Sequence, residues 1–383
     1  MNNRELSLLL ELLRQPTAPF REQRVVELAT RILRDHGIPH CIDPVGNVVI
    51  GCTSRREYMR LLAARSREPV RLYIAHMDHP GFHGVRWRGP KRLQVRWHGG
   101  APTRCLEGAP VWVAAHSGEV LHARMQRARL DPKRRTIQTA EVTLANRPEG
   151  PAENFYGGFS FRAPVWRNGR RLYTKAADDL VGVFAILATA IDAFRNGKPS
   201  PNFLGLLTRA EEVGFVGAIG HFELGWIQRA TRPVVCVSLE TSRTLPNAIV
   251  GKGPVVRLGD RRTVFDPDAL NVLARVADRL LPRKHQRRLM DGGTCEATAA
   301  TVYGLTAIGI SIPLGNYHNQ GLEGGPDCRG DNGPAPEFVH LDDIAGMLAL
   351  CRGLLQSDLP WDAAWTVEKR LYKKRLKGYR RLL

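Results

Sequence analysis

No stretch of this chain approaches the ~20 consecutive apolar residues that a helix needs to cross a bilayer, so no membrane partner is expected. It contains no Cys-x-x-Cys pair, and its seven cysteines are scattered and odd in number, which reads as reduced thiols in a cytoplasmic protein. The opening residues MNNRELSLLLELLRQP lack the basic region and small-residue cleavage site of a secretion signal. Glu5 and Glu11 within them suit an amphipathic helix instead. Acidic residues are scarce, 37 against 56 lysines and arginines, and the resulting net charge of +19 bears on solubility and attraction to polyanions, not on fold. No internal repeat is present, and the one biased tract is the C-terminal run from Lys369 to Leu383, with eight basic residues. Charge runs usually mark a wet face, so the favoured reading is a solvated helix whose Leu and Tyr residues dock on the body. The alternative is a patch for nucleic acid or an anionic membrane.

At 383 residues, 43% of them apolar, the chain has ample material for a core and is long enough for two domains. Helical periodicity covers residues 4–14 and 21–36, the second stopping at Gly37 with Pro39 beyond. Two short strands surround a turn at residues 41–51, and residues 70–75 form a buried strand that delivers His76 and Asp78 at its carboxyl end. In open α/β sheets ligands bind at that end. From about Val85 to Arg171 short alternating runs punctuated by Gly and Pro predict an inserted β-rich domain. Helices follow at residues 180–194, 265–281 and 341–355, and strands at 202–208, 233–239 and 306–312. Alternating strands and helices imply helices on both sides of a largely parallel sheet.

Five segments place metal-binding side chains mostly where apolar runs end: His76 and Asp78, Asp178-Asp179, Glu211-Glu212, Glu240, and His318. Imidazole and carboxylate together suit borderline divalent ions such as zinc, cobalt or manganese. Two such ions ~3.5–4 Å apart share a bridging carboxylate and activate water. On a strand His76 and Asp78 would share a face, and Asp78 could orient the histidine by accepting its second N–H. Of Asp178 and Asp179, one carboxylate could bridge cations while its neighbour caps the following helix. Adjacent Glu211 and Glu212 are costly without a cation or a shared proton, and a division of labour suits them: one ligates, the other takes a proton from water. These residues read as a metal-dependent hydrolase.

In order and flanks the sequence resembles the M42 family of metallo-aminopeptidases, within the dinuclear-metal M20 and M28 exopeptidases. The resemblance rests on His76-Met-Asp78-His-Pro-Gly-Phe82, on Glu211-Glu212-Val-Gly-Phe-Val-Gly-Ala218 and on Gly251-Lys-Gly-Pro254, and runs from Asp43 to about Leu355. It implies a three-layer helix/sheet/helix α/β catalytic domain with a mostly parallel sheet, plus an inserted small β-barrel-like domain used for oligomerisation. The division would be 1–84 and 172–357 for the catalytic domain, 85–171 for the insert and 358–383 for a basic extension. It makes Asp178 the bridging ligand, pairs His76 with Glu240 on one ion and Glu212 with His318 on the other, and gives Glu211 the role of general base with Asp78 in support. The implied cofactors are two divalent ions per subunit, zinc first and cobalt or manganese as alternatives. The implied assembly is a homo-oligomer, often a dodecameric shell.

Several positions depart from the family pattern. Glu240 stands where aspartate is usual, Gly292-Gly-Thr-Cys295-Glu296-Ala297 moves a carboxylate by one place, Gly315-Asn-Tyr-His318-Asn319 loses a basic residue, and Leu180 follows Asp179 in place of arginine. The ligands survive while their surroundings change, which fits retained metal chemistry on an altered substrate. The leading expectation is a cytoplasmic aminopeptidase acting on peptides through a metal-bridged hydroxide. A deacylase of N-acylated amino acids or another small-amide hydrolase is the second reading. A polyanion-binding protein on a hydrolase scaffold, reaching nucleic acid through the basic tail, is the third. Cys295 is expected to be a buried, inert thiol.

Overall fold

The computed structural model of the chain describes residues 1–115, 119–133, 135–195 and 200–383. An eight-stranded sheet runs, in spatial order, His40–Ile42, Val48–Ile50, Phe203–Thr208, Val70–His76, Val234–Arg243, Thr306–Leu314, Val255–Asp260 and Gln286–Met290. The four strands from Phe203–Thr208 to Thr306–Leu314 are mutually parallel, while the neighbours on either side enter antiparallel. Sheets covered on both faces need nearly continuous apolar strands, and Val70–His76 is buried at all seven positions.

The helices Asn3–Arg14, Leu180–Ala193, Pro267–Leu280 and Leu341–Leu354 pack together, while Val216–Glu223 packs against Glu296–Val302. Leu341–Leu354 is tied to the sheet by buried polar anchors. The Tyr73 hydroxyl donates to the Cys351 carbonyl at 2.7 Å, and Arg71 Nε donates to the Leu354 carbonyl at 2.6 Å. A guanidinium at a helix C-terminus satisfies orphan carbonyls and complements the dipole, which is why a fully buried arginine is tolerated inside this strand.

Six strands from Gly81–Trp87 to Phe155–Phe159 close into an antiparallel barrel. Its own core is built from Phe82, Val95, Trp97, Val111, Met125 and Phe159. The burial of Leu121–Leu130 and Ile137–Leu144 alternates along part of each strand, as inward and outward positions require. The hairpin Val165–Asn168 and Arg171–Thr174 does not join the barrel. It pairs with Glu337–His340 in a separate three-stranded sheet, which carries Glu337 toward the parallel strands' ends.

Two expectations need correction. The strand ends at His76, so Asp78 leaves the sheet and shares no strand face with it. The basic tail does form a helix, Thr366–Tyr379, but its Leu and Tyr side chains do not dock on the body: every residue from Lys369 onward is exposed.

Candidate metal centre

His76 stands at the carboxyl end of its strand and is almost fully buried. Glu240 projects from the strand beside it, which continues three residues further to Arg243. Phe203–Thr208 feeds a short turn, Glu211–Val213, whose entry residue Ala210 adopts a left-handed backbone at φ 52°. Asp178 precedes the helix Leu180–Ala193. Its neighbour Asp179 caps that helix, accepting from Gly182 N at 3.2 Å and from the Thr241 hydroxyl at 2.9 Å. His318 follows Thr306–Leu314 in a left-handed backbone, φ 55°.

These segments converge. Asp178 lies between the two histidines, with Oδ1 3.5 Å from His76 Nε2 and Oδ2 3.6 Å from His318 Nε2. Glu212 Oε2 is 3.1 Å from His318 Nε2, and Glu211 Oε2 is 3.9 Å from His76 Nε2. Ligand atoms of His76, Asp178 and Glu212 fall within 4.8 Å of one another. Glu240 is buried too, its Oε2 3.9 Å from Arg257 Nη1. The structure therefore gathers His76, Asp178, Glu211, Glu212 and His318 directly, with Glu240 flanked by a guanidinium.

Buried polar atoms are normally paired. Here Asp178 Oδ1, Glu212 Oε1, Glu240 Oε1 and His318 Nε2 have no hydrogen-bond partner within the chain. Four buried orphans converging from three carboxylates and an imidazole fit divalent cations. The electrostatics agree. Burial pushes Glu240 up to about 8 and raises Glu211 well above the usual carboxylate range, with neighbouring acids adding to it. Asp178 goes the other way, because both histidines outweigh its burial. Burial would lower His318, but Glu212 and Asp178 lift it to about 10. Four carboxylates, Asp178, Glu211, Glu212 and Glu240, thus gather around two imidazoles, a balance that a divalent cation would complete.

Two further carboxylates hold the frame. Asp78 accepts from Glu211 N at 2.9 Å and Glu212 N at 3.2 Å, fixing both glutamates by their backbone. His76 Nδ1 is nearer the Asp78 main-chain carbonyl, 3.1 Å, than the Asp78 carboxylate, 3.7 Å. Asp78 thus orients the histidine through its carbonyl and the glutamates through its side chain. Glu337, absent from the sequence reading, does the corresponding job opposite. Its Oε2 accepts from Ala177 N at 2.7 Å and Asp178 N at 3.2 Å, and its Oε1 from His318 N at 2.9 Å. Burial pushes Glu337 up to about 8, yet donors on both oxygens are the surroundings of an ionised carboxylate. A glutamate in the short apolar strand Glu337-Phe-Val was the available signal. Glu337→Gln turns one of these acceptors into a donor facing N–H groups, and is expected to cost on the order of 2–3 kcal/mol, measured by urea unfolding, and to weaken metal binding.

His79 also joins the site. Its Nδ1 is 2.8 Å from the Asp178 carbonyl and its Nε2 3.3 Å from Asn319 Oδ1, and burial pushes it down to about 4. The neutral ring donates at the shorter contact. Glu296, whose shifted position the sequence flagged, is fully buried and accepts from the Thr208 hydroxyl at 2.5 Å. Cys295 is buried against Asp260, its thiol pushed up by burial. Beside Glu240 a small cleft opens, lined by Ser242, Arg257, Gly293, Thr294 and Tyr317.

The barrel contributes to the site as well. A Cβ placed on Gly100, in the loop after Arg92–His98, would lie 2.1 Å from His318 Nδ1. The insert's backbone therefore abuts the histidine directly, a contact no local sequence pattern signals.

The family model described as M42 glutamyl aminopeptidase matches residues 60–322. No protein of curated function matches the chain. Among solved structures it is similar to a TET aminopeptidase from a marine-sediment Thaumarchaeota archaeon, with 19% identity, 95% of this chain and 99% of that one covered, and a TM-score of 0.72. An aminopeptidase from Desulfurococcus kamchatkensis gives 21% identity, 94% and 96% coverage, and a TM-score of 0.71. The Pyrococcus horikoshii TET1 peptidase gives 18% identity, 92% and 99% coverage, and a TM-score of 0.69. At these identities the likeness is one of fold.

Proposed function

The chain belongs to the M42 glutamyl aminopeptidase family, and from that premise we propose that it removes N-terminal residues from peptides with two divalent ions per subunit. The observation that carries this reading is Asp178, whose two carboxylate oxygens face His76 and His318 separately. In this proposal Asp178, His76 and Glu240 would hold one ion and Asp178, Glu212 and His318 the other. When bound, the ions supply an activated water and a Lewis acid for the scissile carbonyl. Zinc is the first candidate, since imidazole and carboxylate suit it without excluding cobalt or manganese.

The remaining work falls to the chain. Glu211 takes the proton of the attacking water and delivers it to the leaving amine, a role suited to a carboxylate held high by burial. Asp78 keeps Glu211 and Glu212 in place by their backbone N–H groups, and Glu337 does the same for Asp178 and His318. Arg257 lies 3.9 Å from Glu240 Oε2, so this glutamate would hold an ion beside a guanidinium, with Oε1 the oxygen left unpaired within the chain. We further propose a homo-oligomer in the cytoplasm. The Pyrococcus horikoshii relative assembles into a tetrahedron or a large octahedral shell, and among the described residues no helix is long and apolar enough to cross a membrane.

The test is hydrolysis of a peptide panel by metal-reconstituted protein, each member with its N-terminus free or acetylated. Cleavage confined to free-amino members is expected, and it should vanish on chelation and return with metal. Cleavage confined to blocked members would move the assignment to a deacylase. Silence with metal bound would overturn the peptidase reading.

A further inference from the structure

The C-terminal helix Thr366–Tyr379 carries the strongest feature the catalytic reading leaves unused. Its root is fixed: Glu368 pairs with Arg275 at 2.6 Å, and the Trp365 indole donates to Asp268. Beyond that root every side chain is exposed. Helical positions three, four and seven apart share a face. By that spacing Arg370, Lys373, Lys374, Lys377 and Arg381 form one stripe, and Trp365, Tyr372, Leu376 and Tyr379 form another. Val367 stands seven residues from Lys374 on the edge of the basic stripe, and Leu371 lies between the two stripes. Lys369, Arg375 and Arg380 fall within or beside the apolar stripe, where their long stems let the charged heads reach past it, and Arg375 folds its guanidinium over the Tyr372 ring. Leu371, Tyr372, Leu376 and Tyr379 are 45%, 61%, 55% and 65% exposed, too much for a helix whose apolar side serves its own core.

We propose that this helix seats the protein on an anionic lipid surface, its apolar stripe entering the headgroup–acyl boundary and its basic stripe meeting lipid phosphates. Charge complementarity points there: residues 366–383 hold eight basic side chains and one acid, Glu368, already paired with the body. A single-stranded nucleic acid would use the charge and stack bases on the aromatic rings, but would leave Leu371 and Leu376 in water. A lipid interface uses all of these, since amphipathic helices with Lys/Arg on one side and aromatics and leucines on the other lie in that plane. Tyrosine and tryptophan are at home at headgroup depth. The expectation of no membrane partner rested on the lack of a span, and a helix lying on the surface needs none.

The placement suits an enzyme. The cleft that holds Trp361 and Asp268 is also lined by Pro69, Pro233 and Thr306, at the starts of three parallel strands. His76, Glu240 and His318 lie toward the other ends of those strands. A chain seated by this helix keeps its site turned away from the surface.

The test is flotation of the full-length protein with vesicles of phosphatidylcholine alone or mixed with phosphatidylserine. Binding to the mixed vesicles is expected to exceed binding to the neutral ones about tenfold or more, and to weaken with salt. Replacing Leu371, Tyr372, Leu376 and Tyr379 with Ser should lose that binding while keeping every charge. Replacing Arg370, Lys373, Lys374 and Lys377 with Gln should lose it while keeping the apolar stripe. Both variants should retain the parent's unfolding midpoint and peptide hydrolysis, because the replaced side chains are exposed and remote from the site. Equal flotation of the serine variant would overturn the proposal. So would absence of vesicle binding, whether the parent instead binds a single-stranded RNA oligonucleotide regardless of the serine changes, or sediments as a larger assembly that the serine changes break.

Discussion

The Glu211→Gln protein is expected to bind its metal ions like the parent while kcat/KM falls by ~10²–10⁴-fold, the usual share of a general base. Glutamine keeps the shape of the side chain, and the backbone N–H of residue 211 remains bonded to Asp78. Only the capacity to take up a proton is removed. The metal ligands proposed around Asp178 are untouched, so metal content, measured by atomic emission after gel filtration, should stay at the parent's value. Full turnover would remove Glu211 from the role of base. Lost metal together with lost turnover would instead make Glu211 a ligand and shift the base to another group.

Gly100→Ala should be nearly as damaging without touching any acid or imidazole. The added methyl carbon would lie 2.1 Å from His318 Nδ1, far inside van der Waals contact, so one of the two must move. The histidine has little room to yield. Glu337 holds its backbone N–H at 2.9 Å, its main chain is left-handed, and its ring is stacked on Tyr317 at 3.7 Å between centroids. A displacement near 1 Å at such a group costs ~10²-fold in rate. The global fold should survive, because Gly100 does not use the left-handed backbone that only glycine adopts freely. The readouts are kcat/KM, metal affinity and the circular dichroism spectrum. Parent-like kinetics would mean that the insert stands clear of His318 in solution.

What the sequence made legible follows from what is local. His76, the Glu211-Glu212 pair and His318 could be found because apolar strands announce their own ends, and a polar side chain just beyond one is conspicuous. The capping by Asp179 was legible for the same reason, since an Asp before a long apolar helix carries its own explanation. Asp78 was found but misjudged: a strand that stops one residue earlier or later looks alike in sequence, and the stop at His76 redirects the next carboxylate to another segment. Gly100 was invisible, and Glu337 showed only as an acid in a short apolar strand, because the importance of both arises only when distant backbone closes on Asp178 and His318. The tail was misread for a related reason. Helical periodicity reveals an apolar stripe, and it is silent about whether the chain's own body or something else will cover it.

Glu337 also sets a timetable. The carboxylate that seats Asp178 and His318 is made 159 residues after the first and 19 after the second. Chains emerge from the ribosome N-terminus first and their domains fold as units. A nascent chain that already displays His76, Asp178, Glu211 and His318 still lacks the clamp that makes them one centre. The centre is therefore completed only once residue 337 has emerged, and a shorter nascent copy is no hazard to the peptides around it.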